Sequence, residues 1–150
     1  MSVNKSDRNV ADTPQNRHLD AAWKARGLSL HTMKICKNKN VFLPEYQSAL
    51  TDDIIRLSKD IYLKVRRSNN IRMDVKDPPR KVKNWEARSN LQVSAILDCN
   101  DMLYLIELAR ALFHLKGKKA EYWSDLTVKT REYIKRWHES DVDRYKIYTR

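Results

Sequence analysis

Apolar residues recur along this chain at helical rather than strand spacing. Leu50, Ile54, Leu57, Ile61 and Val65 step by four, three, four and four, and Ile55 and Tyr62 widen the stripe. One helix is therefore expected from about Pro44 to Asn70, with Pro44 suited to a first turn because it has no N–H to satisfy. The strongest pattern follows: Leu91, Ala95, Cys99, Met102, Ile106, Ala109 and Phe113 keep coiled-coil spacing. Leu103, Leu105, Leu108, Leu112 and Leu115 make the second half of that helix apolar nearly all round, as expected of a central helix or one that also meets a partner. Trp123, Leu126, Thr130, Tyr133 and Trp137, with Ile134, predict a last helix from about Ala120 to Glu139. The tail from Val142 to Tyr148 either extends it or frays.

The N-terminal pattern is weaker. Leu19, Ala22, Trp23, Leu30 and Met33 are interrupted by Gly27, so residues after His18 read as one kinked helix or as a short helix and an extended segment. Residues 1–17 are polar and are expected to form a mobile tail. Pro78 and Pro79 divide the second helix from the third, and residues 72–83 read as a basic linker. Gly117 is the expected C-terminal stop of the third helix, with the lysines around it favourable at the negative end of its dipole. The predicted fold class is all-α, an up-and-down four-helix bundle in one domain over 18–150, its first helix unsettled.

Composition supports helices, since 150 residues with only 2 Gly and 4 Pro lack the turn residues that a strand-rich fold needs. Charge adds a functional clue. Thirty Lys and Arg against 19 Asp and Glu leave a net +11, which favours anionic polymers. Residues 1–40 carry 8 basic and 3 acidic residues, so the remainder is basic in its own right. Cys36 and Cys99 stand alone, with no CxxC and no ligand-spaced histidine, so neither disulfide, metal nor cofactor is expected. A polar N-terminus and the lack of a long apolar run predict a soluble, cytoplasmic protein with no membrane partner.

Enzyme signatures such as a P-loop or H-E-x-x-H are missing. The pairs Asp52-Asp53 and Asp98/Asp101 could hold a divalent cation, but they read better as solvated helix faces. Arg131 and His138, with six residues between them, match the Arg-x(4–6)-His element that metal-independent helical RNases of the HEPN type use to cleave RNA, with Arg steadying the phosphate and His moving protons. In a straight helix the two share a face about 10 Å apart, far for joint work on one phosphate without a second subunit. An Arg-rich chain also meets the spacing easily by chance, so no catalytic residue is assigned. The basic residues carry the stronger signal. Lys59, Arg66, Arg67, Arg72, Lys76, Arg80, Lys81 and Lys83 form one expected nucleic-acid-binding cluster, and Arg131 and Lys135 line a face of the last helix. Trp85, between Lys83 and Arg88, is the expected exposed stacking residue; Trp123 and Trp137 read as core. The charge does not say which nucleic acid: a helical bundle can recognise structured RNA by shape and backbone, and DNA fits the same charge.

From Phe42 onward the chain resembles the Avd family, the accessory variability determinant proteins of diversity-generating retroelements, and their four-helix-bundle relatives encoded in 23S rRNA intervening sequences. The resemblance lies in Phe42-Leu43-Pro44 ahead of Leu50-Thr51-Asp52-Asp53-Ile54-Ile55-Arg56, then Leu91-Gln92, Leu105-Ile106-Glu107-Leu108-Ala109 and Arg136-Trp137-His138. It covers roughly two-thirds of the chain, and residues 1–40 depart from the family's pattern. It implies a non-catalytic protein that assembles as a homo-oligomer, a basic pentameric barrel, and binds a reverse transcriptase and its template RNA. The alternatives are the metal-independent RNase and a protein-only helical adaptor.

Overall fold

The computed structural model describes residues 16–149. Four helices dominate it: α1 (Arg17–Cys36), α2 (Asp52–Asn70), α3 (Pro78–Phe113) and α4 (Gly117–Arg144). A 3₁₀ turn (Pro44–Tyr46) and a π-helical stretch (Gln47–Thr51) lead into α2, and a second 3₁₀ turn (Lys146–Tyr148) follows α4. Each helix packs on its neighbours in sequence, and α4 closes the ring on α1. The fold is the expected all-α, up-and-down four-helix bundle. One pole holds the α2–α3 connection (the linker pole); the other holds the α1–α2 and α3–α4 connections (the turn pole).

Heptad-like spacing explains the packing. Buried residues on α3 run Trp85, Arg88, Gln92, Ala95, Cys99, Met102, Ile106, Ala109 and Phe113, alternating steps of three and four throughout. On α4 they run Ala120, Trp123, Thr127, Thr130, Ile134, Trp137 and Asp141 with the same alternation. Such seams keep facing their neighbours when antiparallel helices cross at shallow angles. Threonine fits this core because it satisfies itself: the Thr127 hydroxyl donates to the Trp123 carbonyl at 2.9 Å, and that of Thr130 to the Leu126 carbonyl at 2.8 Å. At the turn pole Phe42 lies between Phe113 and Trp123, with ring centroids 4.9 and 6.0 Å away. Trp123 Nε1 donates to Thr32 Oγ1 at 3.0 Å, joining α4 to α1.

Five boundaries differ from the sequence reading, the first at α2, which begins at Asp52 and leaves Pro44 in a separate 3₁₀ turn rather than in its own first turn. α1 is one unbroken helix beginning at Arg17, inside the expected 1–17 tail, of which residues 1–15 lie outside the described residues. Its buried side is made of Ala21, Ala25, Leu28, Thr32 and Cys36, whereas Leu19, Leu30 and Met33 face outward. The large apolar residues misled because small ones hold the contact. Pro78 and Pro79 do not interrupt a helix but open one, in the first turn of α3, where a missing N–H leaves nothing unsatisfied. The first backbone bond follows at once, from Lys81 N–H to Asp77 O at 3.0 Å. Finally, α3 stops not at Gly117 but at His114, which takes the left-handed conformation (φ 51°, ψ 49°) while Leu115 N–H donates back to Arg110 O at 3.3 Å. Gly117 instead begins α4, which continues past Glu139 to Arg144.

Candidate nucleic-acid interface

Antiparallel pairing sets the last turn of α2 beside the first turns of α3, and Ser68 Oγ donates to the Arg88 carbonyl at 2.9 Å across that junction. Three stretches of basic sequence are thereby gathered at the linker pole: Arg66 and Arg67 end α2, Arg72 and Lys76 lie in the connection, and Arg80, Lys81 and Lys83 ride on α3. The latter three belong to a helix rather than to the expected linker, so their spacing is fixed by its turns. Arg66, Arg67, Lys76, Arg80 and Lys83 are exposed and make no ion pair among the described residues.

Two others are already engaged. The Arg72 guanidinium meets Asp74 through both carboxylate oxygens, at 3.0 and 2.6 Å, and this bond draws the Asp74 carboxyl below its usual range. Lys81 Nζ sits 5.5 Å above the Tyr148 ring. Asn84 Nδ2 donates to the Arg72 carbonyl at 2.9 Å, tying the connection to α3. Arg144 and Lys146, beyond the expected helix end at Glu139, add two exposed cations at this pole.

Three expected site residues are elsewhere. Lys59 is exposed two turns before Arg66 on the same side of α2. Arg131 and Lys135 lie on α4, diagonally across the bundle from α2, and are half-buried. Arg131 Nη1 donates to Asn100 Oδ1 on α3 at 2.8 Å, and Lys135 Nζ lies 3.9 Å from Glu132. The two basic clusters expected from sequence are therefore not one surface.

Trp85 is a correction. It is only 4% exposed and offers no face to a base. Its Nε1 donates to Thr149 Oγ1 at 3.1 Å, and its ring packs against His138 and Tyr145. Because α3 starts at Pro78, the seam extends two turns toward its N-terminus and takes Trp85 inside. Trp123 and Trp137 are buried as expected.

The same seam buries charge. Arg88 Nε lies 2.8 Å from Asp141 Oδ2, Gln92 Nε2 donates to that oxygen at 2.8 Å, and the guanidinium stacks 5.4 Å from Trp137. Arg88 is thus part of the bundle's interior and not of its basic surface. Asp98, read as a solvated carboxylate, instead receives Lys64 Nζ from α2 at 2.6 Å.

Arg131 and His138 do not converge. Asn100 and Ser89, the partners of Arg131 and His138, are separated by about 16 Å of α3. His138 Nε2 lies 3.0 Å from Ser89 Oγ, and burial lowers its pKa. Burial pushes both thiols, Cys36 and Cys99, up to about 12, which keeps them protonated and unreactive. Among the described residues no three His, Cys, Asp or Glu side chains converge as a metal site, and no helix is long and apolar enough to cross a membrane. No family model, curated protein or solved structure matches the chain.

Proposed function

We propose that this protein is a non-catalytic RNA-binding accessory factor of a reverse transcriptase, acting as a homo-oligomer. The carrying observation is the linker pole, where five exposed cations from α2, the connection and α3, with no ion pair among the described residues, surround a junction fixed by Ser68 and Arg88. Phosphate groups need donors of this kind at this spread, and such contacts give affinity without base preference. A rigid helical surface reads the shape and backbone of structured RNA. The Avd-like layout supports the retroelement assignment and the reverse transcriptase as protein partner.

Support for self-association comes from α3. Val93, Leu97, Tyr104, Leu108 and Leu112 are exposed along the side of the helix opposite its buried seam, with Tyr104 at 67%. Contiguous apolar exposure of this kind marks a protein contact, and the Avd resemblance suggests a pentamer.

Binding of a structured RNA measured across a salt series tests the reading. Affinity should fall steeply with salt, and Arg66→Glu/Arg67→Glu should weaken binding at least tenfold and reduce the salt slope by about 1–2. Affinity indifferent to salt or to both reversals would sink it.

A further inference from the structure

The turn pole carries a second concentration of positive charge. There the end of α1 lies beside the beginning of α4, and an open groove runs between them with two lobes of about 290 and 390 Å³. Lys34, Ile35 and Lys119 line both lobes, so the two adjoin. One lobe extends over Asn38, Phe42 and Phe113, and the other over His31, Lys118 and Tyr122. Among the described residues no carboxylate lines either lobe. Lys34, Lys118 and Lys119 are exposed and make no ion pair among the described residues.

Local helix electrostatics explain only part of this charge. Lys34 is in the last turn of α1, where a cation favours the negative end of the dipole. Lys118 and Lys119 are in the opposite situation. They occupy the first turn of α4, which has no acidic residue, so they oppose the positive end of that helix. The first backbone bonds of α4 run from the Lys119 and Ala120 amides to the Lys116 carbonyl, both at 3.1 Å, so the Gly117 and Lys118 amides precede that ladder. Lysines held there weaken the helix they begin, and an anion among them removes the conflict.

Tyr122 adds an aromatic wall. It is 58% exposed, and it forms a T-shaped pair with His31, with centroids 5.0 Å apart and planes at 70°. An aromatic ring beside cations suits a base linked to phosphate, and each lobe approaches the size of a small-ligand site.

We propose that this groove binds a nucleotide, with its phosphates between Lys34 and Lys119 and its base on Tyr122. The nucleotide comes either free or as the phosphorylated end of a strand; the recognising chemistry is the same. This site does not rest on the RNA-binding role of the linker pole, from which it is separated by the length of α3, about 50 Å.

Titration of the full chain with a fluorescent ATP analogue, without divalent cations, tests the proposal. Saturable binding is expected, weakened about tenfold or more by Lys34→Glu/Lys119→Glu and about threefold or more by Tyr122→Ala. Arg66→Glu/Arg67→Glu should leave it unchanged, whatever that variant does to RNA. Lys118→Glu/Lys119→Glu should raise Tm by about 2–4 °C while weakening the nucleotide, a combination that misfolding cannot produce. Competition by AMP supports the free nucleotide, and competition by a 5′-phosphorylated but not a 5′-hydroxyl oligonucleotide supports the strand end. Absence of saturable binding, insensitivity to reversal of Lys34 and Lys119, or tripolyphosphate competing as well as ATP overturns the proposal.

Discussion

Asp141 on α4 and Arg88 on α3 meet at 2.8 Å inside the bundle, with side chains only 2% and 9% exposed. Arg88 Nη1 also donates to the Ser68 and Ile71 carbonyls at 3.4 and 3.2 Å, so one guanidinium ties the end of α2, α3 and α4 together. Removing one partner leaves the other charge buried and unmatched. Asp141→Ala should therefore destabilise the fold by about 3–5 kcal/mol, read from urea unfolding. Arg88→Met/Asp141→Leu should recover most of that loss. A single variant within 1 kcal/mol of the parent would contradict the buried pair.

His31 and His138 make stability depend on pH. Burial lowers the pKa of both from an ordinary 6.5; Lys34 adds to the effect at His31, and Asp141 and Glu139 partly oppose it at His138. The native state then binds fewer protons than the unfolded chain, so stability rises with pH across this window. Their contribution is fully present above about pH 6.5 and is lost as the pH falls through 6.5 toward the lowered native values. Urea midpoints should be lower at pH 5.5 than at 7.5, and His31→Gln/His138→Gln should flatten the difference.

Two backbone positions carry removable costs. A Cβ at Gly27 would meet nothing within 4 Å, so Gly27→Ala should stabilise α1 by about 0.5–1 kcal/mol. His114 holds a left-handed conformation that glycine adopts without a Cβ penalty. His114→Gly should add roughly 0.5–1 kcal/mol. Thermal melts of both variants should shift upward; a drop at Gly27 would mean that the interior of α1 is not as packed here.

The outward face of α3 should control self-association. Leu97→Glu/Leu108→Glu places two charges on exposed positions and leaves the seam intact. Light scattering should show a smaller species with unchanged helical content. A parent protein that is strictly monomeric at high concentration would remove the oligomer.

Periodicity along the chain was enough to establish α2, α3 and α4 and the all-α class, because a helix's buried stripe is written at three- and four-residue intervals within its own segment. Net charge was equally legible, since it needs no partner. The seam's polar members were not: Arg88, Gln92 and Asp141 look like surface residues until helices distant in sequence supply one another's hydrogen bonds. Trp85 was misplaced for the same reason, as its burial depends on where α3 begins and on contacts from α4 and the residues beyond it. α1 was ambiguous because alanines and a threonine hold its contact, and small side chains count only when a neighbour approaches closely. Likewise, only the antiparallel arrangement sorted the cations into two separate poles and set Arg131 and Lys135 apart on α4. Local repeats determine helices; which side chains share water, core or a common surface is decided by the groups that other helices bring to them.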